Sequence, residues 1–264
     1  MSKYSDKISL RDRNIIVTGA CGLLGKEFCK GIAEFGGNIA VADIDFEDAS
    51  EFAAELRSVY GVEALPCKLD ITSEDSVGRM LEVIKDKLGE TDGLVNSAYP
   101  RNKTYGTTYE NLNFHSWREN IDMHLNGYFN VIHKVSKVMM TQNKGSIVNL
   151  GSIYGILGPD FSIYEGTSMT MPAEYSVIKG GIVNFTRYLA TRLAKYEIRV
   201  NCISPGGIHN NQPQPFVENY SLRTPMGRMG KPEEIVGGVI YLLSDMSSYV
   251  TGQNLVIDGG WSAW

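Results

Sequence analysis

The octapeptide TGACGLLG, Thr18 to Gly25, contains three glycines. It follows an apolar run, residues 14–17, that is typical of a strand, and it precedes an amphipathic run, residues 24–35, that is typical of a helix. Glycines at a turn from strand to helix let the backbone approach a pyrophosphate, and the first turn of the helix supplies unpaired N–H donors. The octapeptide therefore predicts a phosphate-binding turn at the start of an α/β fold.

The residues of this turn are compatible with two interpretations. In the first, Gly19 makes the tight turn, and Gly22 and Gly25 allow close approach of a dinucleotide pyrophosphate and of the helix to the strand. In the second, the glycines serve tight packing only. The first interpretation assigns five residues to the cofactor: Gly19, Cys21, Gly22, Leu24 and Gly25.

The rest of the chain repeats the alternation of strand and helix patterns. Short β-branched runs lie between longer amphipathic stretches, which predicts an α/β fold with a doubly wound parallel sheet and helices on both faces. A length of 264 residues fits one domain over 1–264. Two stretches rich in Gly, Pro, Ser, Thr and Asn, 153–173 and 207–230, are predicted to be the loops that contact substrate.

Composition narrows the class of partner. No window carries the run of apolar residues that a membrane helix needs, and the polar N-terminal stretch has no signal-peptide core, so we predict a cytoplasmic protein without a membrane partner. A net charge of -5 leaves no basic face for nucleic acid, so a small-molecule substrate is expected. The four cysteines lie in separate elements, which favours reduced, packed thiols.

The end of the second predicted strand indicates which dinucleotide is used. Asp43 stands where such a fold places an acid that accepts hydrogen bonds from the adenosine ribose hydroxyls. A carboxylate there repels a 2′-phosphate, and no Arg or Lys at 42–46 offsets it, so NAD(H) is preferred over NADP(H). Asp70 and Ile71 close the third predicted strand, where an adenine edge would lie.

A tyrosine and a lysine one helical turn apart predict acid–base chemistry. The i, i+4 spacing of Tyr175 and Lys179 places both on one helix face, and Ser152 ends the preceding strand. A free tyrosine with a pKa of about 10 is rarely ionised at neutral pH, but an ammonium about 4 Å away contributes about 4 kcal/mol at an effective dielectric near 20. Tyr175 would then exchange protons near pH 7 while Ser152 hydrogen-bonds the substrate oxygen. A solvated aromatic and cation is the alternative.

The chain resembles the short-chain dehydrogenase/reductase family over nearly its whole length. The motifs that carry the resemblance are TGACGLLG, Asp43, Asp70, NSA at 96–98, Ser152, YSVIK at 175–179, RVNCISPGG at 199–207 and VTGQNLVIDGG at 250–260.

The resemblance implies one Rossmann-like domain with a seven-stranded sheet and a homo-oligomer, either a tetramer or a dimer. It also implies that Tyr175 is the acid/base, that Lys179 binds the nicotinamide ribose and tunes Tyr175, and that Ser152 orients substrate. Further cofactor contacts implied by the resemblance are those of Asn96, Ala98, Tyr175, Pro205, Gly206 and Ile208.

The sequence departs from the family pattern at three places near the expected site. The glycine turn reads TGxxGxxG where the compact branch writes TGxxxGxG, which we interpret as a local variant. Tyr99 occupies the last position of the segment that the family writes NNAG. His124 stands where the family carries an asparagine that organises a water next to the lysine, so it either serves a proton relay, with a pKa near neutrality, or packs structurally. The other histidines show no metal-ligand spacing, so no metal is predicted.

The gap between Ser152 and Tyr175 is wider than the family commonly shows. The insert offers hydrogen-bonding side chains that suit a polyhydroxylated ligand, although a loop that covers a neighbouring subunit fits equally. These side chains are Asp160, Tyr164, Glu165, Thr167, Ser168 and Thr170. Arg101 and Lys103 are interpreted as either a contact to a substrate anion or a solvated surface pair.

These observations predict an NAD(H)-dependent oxidoreductase that interconverts a secondary alcohol and a ketone on a small polar substrate, such as a sugar or nucleotide sugar. The insert resembles that of reductases linked to bacterial surface-sugar and flagellin-glycan synthesis. One alternative is a 3-oxoacyl-carrier-protein-type reductase, which predicts NADPH use. Another is a non-catalytic dinucleotide-sensing module, against which the intact Ser152, Tyr175 and Lys179 count.

Overall fold

The computed structural model describes residues 4–264, which form one seven-stranded parallel sheet. The strands are β1 (Asn14–Thr18), β2 (Asn38–Asp43), β3 (Ala64–Lys68), β4 (Gly93–Asn96), β5 (Gly145–Leu150), β6 (Ile198–Pro205) and β7 (Asn254–Ile257). Their order across the sheet is β3-β2-β1-β4-β5-β6-β7. The strand order reverses between β1 and β4, which is where an open α/β sheet forms a ligand crevice beyond its carboxyl ends.

Nine α-helices flank the sheet within the described residues. They are α1 (Ser5–Ile8), α2 (Leu23–Glu34), α3 (Phe46–Tyr60), α4 (Glu74–Lys87), α5 (Phe114–Ile121), α6 (Gly127–Gln142), α7 (Ala173–Leu193), α8 (Gln214–Arg223) and α9 (Val236–Leu243). A π-helical turn, Asp122–Asn126, joins α5 to α6. The predicted doubly wound α/β fold is confirmed.

Helix α4 illustrates how local sequence sets these elements. The Ser73 side chain accepts a hydrogen bond from the backbone of Ser76 and so caps a donor that the helix itself leaves unpaired. Val77, Met80 and Ile84 follow helical spacing, and all three are buried. Their stripe packs against the core on one face of the sheet.

Two large apolar cores cover the two faces of the sheet, and a third cluster lies beyond the strand ends. The third cluster is built from the insert, α8 and the C-terminal turn, and its buried members are Ile153, Tyr154, Ile163, Tyr164, Phe216, Tyr220, Met229 and Trp261. Trp261 stacks on Tyr220 with ring centroids 4.3 Å apart, whereas Trp264 is largely exposed. This cluster forms one wall of the crevice.

Two sequence expectations on local structure need correction. The segment 207–230, expected to be a loop, contains helix α8, because Phe216 and Tyr220 at i, i+4 spacing bury one helix face in the third cluster. Strand β3 ends at Lys68, so Asp70 and Ile71 lie in the connection after the strand. Among residues 4–264, no helix is both long and apolar enough to span a bilayer.

Candidate active site

The glycine turn after β1 has the backbone geometry that its sequence predicts. Gly19 has a φ of +65°, and a Cβ there would lie 2.8 Å from the Cα of Ala98. A Cβ on Gly25 would overlap the carbonyl oxygen of Gly19, so only glycine allows α2 to start this close to the turn. Gly22 is the residue before α2. The two outer glycines are thus required by packing, and the turn opens toward the crevice.

The first turn of α2 offers an anion site. No side chain in the described part of the chain caps the helix N-terminus, and its first turn carries no acidic residue. Its leading N–H groups therefore remain available, and the positive end of the helix dipole favours a phosphate. Gly19, Cys21, Gly22, Leu24 and Gly25 all line the same cavity.

Asp43 at the end of β2 lies against this turn. Its carboxylate accepts hydrogen bonds from the backbone N–H of Cys21, at 2.9 Å, and of Asp45, at 3.2 Å. Asp43 also lines the cavity, together with Asp70 and Ile71. The carboxylate of Asp43 is therefore held by the glycine turn while its side chain lines the cavity.

The segment after β4 is fixed to the end of β1 by two hydroxyl groups, that of Ser97, which donates to the Thr18 carbonyl at 2.7 Å, and that of Thr18. The Thr18 hydroxyl accepts hydrogen bonds from the backbone N–H groups of Ser97, at 3.1 Å, and Ala98, at 3.2 Å, and donates to the Asn96 side chain at 3.0 Å. Ala98 lines the cavity, but Asn96 is fully buried and does not reach it. Asn96, expected among the cofactor contacts, instead ties β4 to β1 beneath the cavity floor.

The cavity has a volume of about 990 Å³ and runs across the carboxyl ends of the strands. The glycine turn and the carboxylates of Asp43, Asp48 and Asp70 line one end. The other end is lined by polar and aromatic side chains, among them Ser152, Tyr154, Tyr164, Tyr175, Lys179, Phe216 and Tyr220. Pro205, the last residue of β6, and Gly206 and Ile208, which follow it, lie along this end as well. The space is large enough for an extended dinucleotide with a small substrate beside it.

Ser152, Tyr175 and Lys179 converge in this cavity, as their spacing predicts. Ser152 follows β5 and is buried, and its side chain accepts a hydrogen bond from the backbone of Tyr154, which fixes the serine. Lys179 is buried on α7, and its Nζ donates to the Leu150 carbonyl at 2.7 Å. Nζ lies 5.7 Å from the centroid of the Tyr175 ring. Two hydroxyl-bearing side chains and an ammonium group therefore line the same part of the crevice.

The charge states of this group differ from the sequence expectation. Burial raises the pKa of Tyr175 above its ordinary value, and a hydrogen bond with Ser152 acts in the opposite direction. Burial lowers the pKa of Lys179 to about 8. The expected depression of the Tyr175 pKa by Lys179 is not found: burial is the largest influence on the Tyr175 pKa, and Nζ is directed to the Leu150 carbonyl. Tyr175 is therefore a protonated acid in the unliganded chain, and Lys179 carries its charge at neutral pH.

His124 lies in the π-helical turn and is 1% exposed. Burial, and secondarily the charge of Lys179, hold its pKa well below the ordinary value, so the ring is neutral at pH 7. The expectation of a pKa near neutrality is therefore wrong, and His124 does not line the cavity. Its Nε2 has no hydrogen-bond partner in the part of the chain that the structure describes. The ring packs edge-on against Tyr99, at 5.1 Å between centroids.

The insert contributes fewer polar groups than its composition predicts. Of the six polar side chains expected at the mouth, Tyr164 and Thr170 line the cavity, joined by Met169 and Met171. Asp160 turns away, because it accepts a hydrogen bond from Ser162 and pairs with Arg223 at 3.3 Å. The insert thus supplies a mixed wall of aromatic, thioether and hydroxyl groups.

Several cavity residues were not anticipated from the sequence. They are Tyr105, Met123, Tyr154, Phe216, Tyr220 and Met229. The i, i+4 spacing of Phe216 and Tyr220 was a signal for a buried helix face, and no spacing rule points to the others. Among residues 4–264, no group of His, Cys, Asp and Glu side chains is arranged to hold a metal ion.

Comparison with known proteins places this geometry in a family. A family profile described as Enoyl-(Acyl carrier protein) reductase matches residues 19–262. The chain is 39% identical to the post-translational flagellin modification protein A of Campylobacter coli, over 96% of this chain and 99% of that protein. It is 33% identical to a 3-oxoacyl-[acyl-carrier-protein] reductase of Thermotoga maritima, over 95% and 98% of the two chains.

Solved structures give the same result. A short-chain type dehydrogenase/reductase from Mycobacterium marinum has a TM-score of 0.87 at 29% identity and covers 98% of both chains. An NAD+-bound xylitol dehydrogenase has a TM-score of 0.86 at 32% identity over 95% of this chain and 99% of that one. A gluconate 5-dehydrogenase from Burkholderia cenocepacia, in complex with NADP and tartrate, has a TM-score of 0.89 at 26% identity over 98% and 99%. The chain belongs to the short-chain dehydrogenase/reductase family and is an oxidoreductase of that family.

Proposed function

We propose that this oxidoreductase uses NAD(H) to interconvert a secondary alcohol and a ketone on a small polar substrate, with Tyr175 as the acid/base. The observation that carries the proposal is the convergence of Ser152, Tyr175 and Lys179 on the cavity that the glycine turn and Asp43 also line. Because one cavity holds both the anion-binding turn and the proton donor, it suits a reaction between a dinucleotide and a second ligand.

The residues present fit a nicotinamide dinucleotide. The open N–H groups of α2 and the bare backbone of the glycine turn suit the pyrophosphate, and Asp43 suits the adenosine ribose. Lys179 suits the nicotinamide ribose. When bound, the dinucleotide supplies or accepts the hydride, and every other part of the chemistry falls to the side chains.

The side chains transfer the proton and hydrogen-bond the substrate oxygen. Ser152, buried and fixed by the Tyr154 backbone, is placed to hydrogen-bond the substrate carbonyl. Tyr175, protonated in the free protein, donates its proton to that oxygen in the reduction and takes it back in the oxidation. The charge of Lys179 stabilises the phenolate left behind, so proton transfer from Tyr175 to the substrate oxygen is favoured while the lysine stays charged.

The preference for NAD(H) rests on the surroundings of Asp43. The carboxylate lies where a 2′-phosphate would approach, and residues 42–46 contain no Arg or Lys to offset its charge. The structural relatives include both an NAD+ complex and an NADP complex, so the local charge carries this part of the proposal.

We place the substrate among small polyhydroxylated compounds, such as sugars or nucleotide sugars. The substrate end of the cavity combines phenolic hydroxyls with aromatic faces, from Tyr154, Tyr164 and Phe216, which suits hydroxylated carbon chains. Two relatives are named for polyhydroxylated compounds, a xylitol dehydrogenase and a gluconate 5-dehydrogenase, which agrees with this class.

A 3-oxoacyl-carrier-protein-type reductase is the second candidate. The relative from Thermotoga maritima carries that activity in its name, and Met169 and Met171 add apolar surface that suits an acyl chain. This candidate requires NADPH, which Asp43 disfavours.

Calorimetric titration with NADH and with NADPH, followed by stopped-flow NADH oxidation over a panel of carbonyl compounds, tests the proposal. We expect tighter binding of NADH and turnover on a ketose. Tighter binding of NADPH with turnover on acetoacetyl thioesters would replace the proposal with the second candidate. Binding of NADH without turnover on any compound would favour the non-catalytic sensing module.

We also propose a homo-oligomer, built through the outer faces of α6 and α7. Phe129 and Tyr188 both pack against Phe185, at 6.1 and 6.2 Å between ring centroids, and they are 50% and 62% exposed. Val177 on α7 is 47% exposed. Contiguous exposed apolar side chains of this kind mark an interaction surface. Light scattering coupled to size exclusion should give a dimer or tetramer mass. Replacement of Tyr188 by Glu should lower that mass, and a monomer for the unmodified protein would refute the assignment.

A further inference from the structure

The segment after β4 brings an arginine to the substrate end of the cavity. Arg101 lines the cavity, and its guanidinium lies 5.6 Å from the centroid of the Tyr99 ring. That ring in turn packs edge-on against the Tyr175 ring, with centroids 5.9 Å apart. Among the described residues, Arg101 forms no ion pair with a carboxylate, so its charge is available to a ligand.

Charge is divided between the two ends of the cavity. All three carboxylates that line it, those of Asp43, Asp48 and Asp70, belong to the end with the glycine turn. The cations that line it are Arg101 and Lys179, and Lys179 already donates to the Leu150 carbonyl. The guanidinium is therefore the free charge at the end where a substrate would lie.

The backbone beside Arg101 is fixed relative to the catalytic helix. The N–H of Asn102 donates to the side chain of Asn120 at 3.0 Å, and Asn120 donates to the carboxylate of Glu174 at 3.0 Å. Asn120 and Glu174 are buried, and Glu174 directly precedes Tyr175. The hydrogen bond from Asn120 to this carboxylate ties the segment to the start of α7, and among the described residues Glu174 forms no ion pair with Arg101.

We propose that Arg101 is a specificity-determining residue that binds an oxyanion of the substrate, either a carboxylate or a phosphate, at the end remote from the reacting carbon. The inference deepens the proposed function and rests on it: the substrate becomes an anionic polyol, such as a sugar acid or a sugar phosphate. The planar guanidinium forms two parallel hydrogen bonds with either group, and the Tyr99 ring supports it from one side.

Direct binding tests this assignment without any need for turnover. Tartrate, glycerol 3-phosphate and the neutral polyol erythritol are titrated calorimetrically into the protein, both saturated with NADH and free of it. We expect one or both anions to bind more tightly than erythritol. Arg101→Gln should weaken anion binding by about tenfold to a hundredfold, the range for a hydrogen bond to a charged group, and leave erythritol unchanged.

Lys103→Gln is the matched control, because Lys103 lies two residues away, carries the same charge and does not line the cavity. It should leave all three affinities unchanged. Arg101→Lys keeps the charge but not the planar fork, so it should give intermediate affinity. Loss of tartrate binding alone assigns the site to carboxylates, and loss of glycerol 3-phosphate binding alone assigns it to phosphates.

Equal anion affinity in the unmodified protein and Arg101→Gln would overturn the proposal, as would equal losses in Arg101→Gln and Lys103→Gln. Absence of any anion binding would overturn it as well. Failure of the proposed function would give a different result: the unmodified protein would not bind NADH, or it would turn over neither neutral ketoses nor acids.

Discussion

The buried neutral ring of His124 makes the stability of this protein depend on pH in a defined direction. Burial holds the His124 pKa well below its ordinary value in the folded state, whereas the unfolded chain has a pKa of about 6.5. Below pH 6.5, His124 is therefore protonated in the unfolded state but stays neutral in the folded state. Stability falls by roughly 1 kcal/mol for each pH unit of acidification until the folded pKa is reached.

Replacing His124 with Asn, which cannot titrate, should remove this contribution. Urea denaturation at pH 7.5 and pH 5.5 gives the free energy of unfolding of both proteins. The unmodified protein should lose about 1 kcal/mol more than His124→Asn between these pH values. Carboxylates titrate in both proteins and cancel in the comparison. His133→Asn, which removes an exposed ring, serves as the control and should behave like the unmodified protein. Equal losses in the unmodified protein and His124→Asn would refute the argument from burial.

Four further predictions concern the glycine turn and the catalytic group. Tyr175→Phe should leave the Kd for NADH unchanged and lower kcat by about 10²- to 10⁴-fold, and retained turnover would remove Tyr175 from the acid/base role. Lys179 has a pKa of about 8, so it loses its charge as the pH rises through 8, and kcat/KM should fall above pH 8. A flat profile of kcat/KM to pH 9.5 would contradict this. Asp43→Ala should raise the ratio of NADPH to NADH affinity, which competitive titration measures. Gly25→Ala should destabilise the fold by about 1 to 3 kcal/mol and weaken NADH binding, whereas Gly78→Ala, where a Cβ meets nothing within 4 Å, should be neutral or stabilising in the same urea assay.

The sequence predicted the elements whose reasons are local. The glycine turn, the helix after Ser73 and the convergence of Ser152 with Tyr175 depend on spacing along one or two neighbouring elements, and spacing is visible in a sequence. The predicted position of Asp43 at a strand end likewise follows from the length of one β-α-β unit.

The sequence misled where the outcome depends on distant packing. Helical spacing placed Lys179 on the face of Tyr175, but the partner that holds Nζ is a carbonyl at the end of β5, outside the helix. The polarity of the insert did not show which side chains turn inward, and Asp160 is drawn outward by Arg223 from α8. His124 packs against Tyr128 of α6 and against the Tyr99 ring from the segment after β4, and the second of these neighbours is distant in sequence.

The carboxylate of Asp43 links two properties that a protein engineer would want to change separately. It is the group expected to select NADH over NADPH. It also accepts the hydrogen bond from the Cys21 N–H in the glycine turn. Removing the side chain to admit NADPH therefore also releases an anchor of the turn, and affinity for either dinucleotide falls with the gain in tolerance. Asparagine keeps one oxygen for Cys21 without the charge, so a redesign toward NADPH has its best starting point in Asp43→Asn combined with a cation at the exposed neighbour Ile44.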